Sequence, residues 1–153
     1  MTLVLCLLIG VIAGLRAMTA PAAVAWAAYL GWLPLSGTPL AFLAHIAAPC
    51  VLTVLALGEL VGDQLPKTPS RKVPAQFGTR IVMGALCGAA IAAPGGQLVI
   101  GLLAGVLGAV IGTLGGAAAR ARLAQAFGRD LPAGLIEDAV ALVGAWLIVS
   151  GVR

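Results

Sequence analysis

The chain has 153 residues, of which 61% are hydrophobic and 9% charged, with a formal net charge of +4 and a mean hydropathy of +1.12. Soluble domains draw about a quarter of their residues from Asp, Glu, Lys and Arg, so this composition excludes an ordinary water-soluble domain and specifies a chain solvated by lipid. The positive residues sit in short connections and form no basic face, which excludes a nucleic-acid-binding domain and makes them topology determinants.

Six apolar segments follow one another at 2–15, 19–34, 40–62, 80–93, 97–119 and 134–150. They predict an all-α, polytopic membrane protein of about six short transmembrane or half-membrane helices, in a single transmembrane domain over 1–153. Only the third and fifth segments reach the roughly 20 residues that cross about 30 Å of hydrocarbon. The first segment precedes the first positive charge, Arg16, the reverse of a secretory signal, and is expected to be a retained helix. Cys6, Cys50 and Cys87 all fall in apolar runs and match no metal or disulfide spacing, so they read as small buried hydrophobes.

Charge distribution sets a topology. Lys67, Arg71, Lys72 and Arg80 fall in the connection 63–80, and Arg120, Arg122 and Arg129 in the connection 119–131. Both are expected on the cytoplasmic side of a bacterial inner membrane, which leaves both chain ends outside. The layout is three segments followed by three of opposite orientation, compatible with a 3+3 inverted repeat of halves 1–71 and 72–153. Two faint echoes accompany it: Asp63-Gln-Leu-Pro66 beside Asp130-Leu-Pro132, and glycine pairs at i,i+4 in the first segment of each half, Gly10 with Gly14 and Gly84 with Gly88.

Glycine is abundant, at 21 residues. Gly108, Gly112 and Gly116 recur every four residues after Gly101 and Gly105, predicting one smooth helix stripe that lets another backbone approach. Gly58 and Gly62 are read the same way. These faces are expected to want partners, and a homo-oligomer embedded in membrane lipid follows from them.

Few polar groups remain, and each asks for an explanation. Arg16 interrupts GLRAMTAP between two apolar segments, where a charge either snorkels to headgroups or pairs with an acid along a pathway. Glu59 and Asp63 share a helix face at i,i+4 and require nearby cations, with Arg16, Lys67, Arg71 and Arg80 as candidates. The readings open to them are an ion-pair network and a proton or cation relay; a divalent metal needs more oxygens than two carboxylates supply. Pro66 and Pro69 stiffen the following basic connection. Glu137 and Asp138 stand early in the last segment, where they either favour the helix dipole or are buried against Arg80 or Arg120. His45 has no nucleophile or ligand set around it. HExxH, GxSxG and His/Cys clusters are lacking, and no cofactor or metal site is expected; a Ser70–Lys67 dyad for intramembrane hydrolysis is the one enzymatic alternative, without support from its context.

GLRAMTAP, ELVGDQLPKTPSR, the glycine-rich fifth segment and LIEDAVALVG together resemble a bacterial integral-membrane family catalogued as Domain of Unknown Function 4126. The resemblance covers nearly the whole chain and rests on Gly14-Leu15-Arg16, Glu59, Asp63, Pro66, Pro69, Ser70, Arg71 and Glu137-Asp138. Gln64 stands where many relatives carry lysine. The resemblance implies no activity, substrate or cofactor. From the residues, the leading expectation is a small transporter or channel-like protein for an anionic solute or coupled to protons, its pathway lined by Arg16, Glu59, Asp63, Lys67, Arg71, Arg80, Glu137 and Asp138. The alternative is a structural or lipid-binding membrane module.

Overall fold

The computed structural model describes residues 1–63 and 73–153; Lys67 and Arg71 of the expected pathway lie outside them. The described residues form six α-helices and no strand. The helices are α1 (Thr2–Leu15), α2 (Thr19–Tyr29), α3 (Ala47–Gly62), α4 (Pro74–Ala92), α5 (Leu98–Phe127) and α6 (Asp130–Ser150), with 3₁₀ turns at Ala41–Ala44 and Ala93–Gly95. Three helical stretches are long and apolar enough to cross a membrane, Pro74–Gly95, Leu98–Phe127 and Asp130–Ser150; α1 and α3 are shorter apolar helices.

Several boundaries differ from the hydropathy segments, and prolines and glycines account for most of the differences. The segment 40–62 is not one span. Pro49 has no N–H and clashes with the preceding turn, so a helix can begin only one turn before it, and α3 starts at Ala47 after extended His45. Segment 19–34 closes early at Tyr29, and Gly31 and Gly37 take the left-handed backbone of the following link. α4 starts at Pro74, six residues before its apolar run, because proline is well suited to a first helical position. α5 continues through AAARARLAQAF, since Ala, Arg, Leu and Gln are strong helix formers whatever their polarity. It stops at Gly128, whose φ is +66°. The expected connection 119–131 is therefore mostly helix, and the last helix begins at Asp130 rather than 134.

α1, α4 and α5 pack as a three-helix core with almost no side chain between them. A Cβ added at Gly10 or Gly105 would strike the backbone of the facing helix, at Gly105 and Gly84 respectively; Gly84, Gly88, Gly101, Gly108 and Gly112 are equally crowded. The expected stripe on α5 serves two neighbours in succession. Gly101 and Gly105 face α4 at Gly88 and Gly84, Gly108 and Gly112 face α1 at Leu7 and Val11, and Gly14 of α1 lies against Ala109 and Thr113. Gly116 is buried as well. Gly58 and Gly62 break the expectation, because nothing lies within 4 Å of a Cβ built at either. The packed glycine faces are used inside the bundle and so do not by themselves call for a second copy.

α2, α3 and α6 complete the bundle with a core of Ala, Val, Leu and Ile side chains. Trp26 of α2 donates through Nε1 to Thr53 Oγ1 of α3 at 2.9 Å, and Thr53 donates to Pro49 O at 2.6 Å. Cys6 and Cys87 are buried, with Cys6 Sγ 3.3 Å from Gly88 O, whereas Cys50 is exposed, against expectation. Both chain ends lie at the end of the bundle where α4 joins α5. Arg153 there rests over the Trp32 ring, 5.2 Å from its centroid.

Candidate functional site: a charged layer at a helix break

α1 and α2 are one hydrophobic hairpin interrupted at residues 16–18. Arg16 closes α1 in extended conformation, φ −138° and ψ 111°, so carbonyls at the end of α1 and amides at the start of α2 lose their helical partners. Inside a bilayer each such group needs a partner from the protein. Two charged side chains supply them. Arg80 of α4 donates through Nη1 to Gly14 O at 2.9 Å and Leu15 O at 2.6 Å. Glu59 of α3 accepts from Ala17 N and Met18 N, both at 2.8 Å. Each charge has the sign that the helix end favours, a cation at a C-terminus and an anion at an N-terminus. Arg80 Nη2 and Glu59 Oε1 are themselves 3.5 Å apart. Thr113 of α5 adds a hydroxyl 3.3 Å from Gly14 O, though its shorter bond is to Ala109 O at 2.7 Å.

Arg16 points away from the hairpin it interrupts. Its guanidinium is fully buried and pairs with Asp63 at the end of α3 and Asp138 of α6, with Glu137 at 4.0 Å. Snorkelling is thereby replaced by pairing. Arg120 extends the layer: it clamps Asp130 with Nε at 3.0 Å and Nη2 at 2.6 Å, and its Nη1 lies 3.5 Å from Glu137 and 3.8 Å from Asp63. All five acids of the chain thus meet Arg16, Arg80 and Arg120 in one layer to which every helix contributes.

The layer is inset from the end of the bundle. Six residues of α4 and seven of α5 run past its arginines, about 9–11 Å of helix, while on α6 the layer reaches the first residue, Asp130. In the other direction α4 makes twelve rises from Arg80 to Ala92, about 18 Å, and α5 makes fifteen from Thr113, beside the helix break, to Leu98, about 22 Å, or twenty-two from Arg120, about 33 Å; the break itself therefore lies within a hydrocarbon core of about 30 Å. Among the described residues, Arg16 Nε and Thr19 Oγ1 are buried without a hydrogen-bond partner, and no three His, Cys, Asp or Glu residues stand as a metal set.

Of the expected pathway residues, Arg16, Glu59, Asp63, Arg80, Glu137 and Asp138 come together; Lys67 and Arg71 fall outside the described residues. Arg120 and Asp130 join them without having been expected in the pathway. Their signal was legible only if α5 runs on through its arginines, because Arg120 then lies on a helix facing the start of α6 rather than in a loop. The expected burial of Glu137 against Arg120 is found, and the dipole reading belongs to Asp130 in the first turn of α6.

A crevice adjoins this layer. It holds about 400 Å³ between α2, α3 and α6, from Thr19, Leu60 and Leu142 near the charges to Trp26, Trp32 and Trp146 towards the other end.

No curated protein and no solved structure matches the chain. The break motif, the Glu59–Asp63 stretch and the glycine-lined α5 nevertheless fall within a single match that spans almost every residue. Over residues 3–150 the sequence fits the family described as Domain of unknown function (DUF4126), and the chain is a multi-pass membrane member of that family.

Proposed function

We propose that the protein is a small membrane transporter whose charged layer handles the solute. The observation that carries this reading is the inset layer itself. Charged groups inside a membrane protein are costly and mark ion or substrate pathways, and discontinuous helices whose ends meet charges are a recurrent transporter device. The solute we favour is a cation or a proton rather than an anion. The cation at the centre of the layer, Arg16, has no exposed surface, whereas the carboxylates of Asp63 and Asp138 keep 16% and 13% of theirs. In a bacterial cytoplasmic membrane, the basic connections put the layer on the cytoplasmic side.

Reconstitution in liposomes tests the reading. Wild-type protein is expected to pass protons or monovalent cations above the protein-free rate, and Arg16→Ala and Glu59→Gln to lose most of that flux. Wild type at the protein-free rate across protons, alkali cations and small organic ions would sink it.

One observation favours a second reading, a structural membrane module. The helix ends at residues 14–18 are already filled by Arg80 and Glu59, so the layer also explains itself as a device for burying a bend. The same flux experiment separates the two.

A further inference from the structure

We propose that the crevice between α2, α3 and α6 binds a membrane-dissolved amphiphilic cation, with its apolar body in the crevice and its ammonium head against Asp63 and Asp138. As the substrate's entry route this rests on the transport reading above; as a binding site it does not.

Three observations converge. The crevice volume, about 400 Å³, is that of a small-molecule site, which typically runs to about 300–1,000 Å³. Its walls are almost wholly apolar, and Trp26 and Trp146 at its margin are exposed on the bundle's outer surface. A ligand dissolved in the bilayer therefore reaches it sideways.

The two long walls end on acids. On α6, Asp138 precedes the lining residue Leu142 by four positions; on α3, Asp63 follows Leu60 by three. Positions so spaced share a helix face, so each wall presents a carboxylate one turn beyond its last apolar residue. The two are not at separate sites, since Arg16 bridges them. Neither is among the residues that line the crevice itself; both keep part of their surface exposed beside the buried Arg16 guanidinium, and an incoming head is proposed to meet them there.

The aromatic wall has the same preference. Tryptophan ring faces carry negative potential and attract cations, and one lining ring already does so within the molecule, Trp32 beneath the guanidinium of Arg153. The tryptophan faces at one end and the acids one turn beyond the other both favour a cation. A bilayer acyl chain filling it passively would show no charge preference and no saturation.

All three tryptophans of the protein line the crevice, so their emission is a built-in reporter. The protein in lipid nanodiscs would be titrated with decyltrimethylammonium and, separately, with decanesulfonate, which matches its chain but not its charge. The expected result is a saturable emission change with the cation and at least about tenfold weaker binding of the sulfonate. Asp63→Asn should weaken the cation by about tenfold or more, as loss of one partner of a partly buried charge pair does, and Ala23→Leu should fill the crevice and abolish the response. Equal binding of the two amphiphiles, or a response linear in both, overturns the proposal, and that comparison needs only wild-type protein. Saturable cation binding without flux in liposomes would leave the site standing and remove the transport reading; small-cation flux without saturable binding would do the reverse.

Discussion

The α1–α4–α5 seam and the charged layer hold the same helices by opposite means. In the seam, glycines bring backbones into direct contact, and the association depends on dispersion between surfaces that have no side chain to move. In the layer, the backbones stay apart and long side chains reach across, so that residues 16–18 can leave the helix at membrane depth. The seam tolerates no added atom; the layer tolerates no removed charge. The difference also explains where the crevice lies. α2, α3 and α6 have no packed glycine seam among them and meet through side chains, which leaves room for a cavity beside their charged ends.

Substitutions can test that contrast. Gly105→Leu should have the largest effect, more than about 4–5 kcal/mol, because Gly105 is crowded by backbone that cannot rotate away. The expected readout is loss of a monodisperse, thermally cooperative protein in detergent. Arg16→Ala should cost about 3–5 kcal/mol, as it strands Asp63 and Asp138 in a buried layer; a melting temperature within a degree or two of wild type would show that water already solvates the layer. Glu59→Gln keeps one acceptor for the amides of Ala17 and Met18 but turns an N–H donor towards the other, and should cost about 1–2 kcal/mol, within the range of a lost helix cap. Gly58→Ala should stabilise slightly, by about 0.5–1 kcal/mol, since a glycine in mid-helix with open space around it contributes only backbone entropy. If Gly58→Ala were instead as damaging as Gly105→Leu, a partner would have to cover that face of α3.

Gly58 and Gly105 also mark how far the sequence could be read. Both sit in helices and both belong to i,i+4 glycine patterns; what separates them is which neighbour lies opposite, a long-range fact that spacing does not carry. The helical class and the number of helices are legible, because hydropathy depends on residue type alone; for Arg16 the sequence leaves snorkelling and pairing with an acid both open, and the packing of α3 and α6 decides for pairing. Helix ends depart from the hydropathy pattern where polar residues continue a helix instead of forming a loop. The arginines after Gly116 continue α5, and that continuation is what brings Arg120 to Asp130 and Glu137. Pro49 carried the information that the third segment is broken, but hydropathy outweighed it.

The filled helix ends at residues 14–18 have a consequence for the order of assembly. The partners of Gly14 and Leu15 lie at Arg80, and those of Ala17 and Met18 at Glu59. When α1 and α2 first emerge from the ribosome, neither partner has been made. The hairpin cannot settle in lipid with those groups bare, so it must wait at the water interface or beside the translocation machinery until four helices are available. A truncation ending before residue 59 should fail to integrate stably, whereas one ending after α4 should hold the bend. The first two helices are therefore synthesised early and completed late.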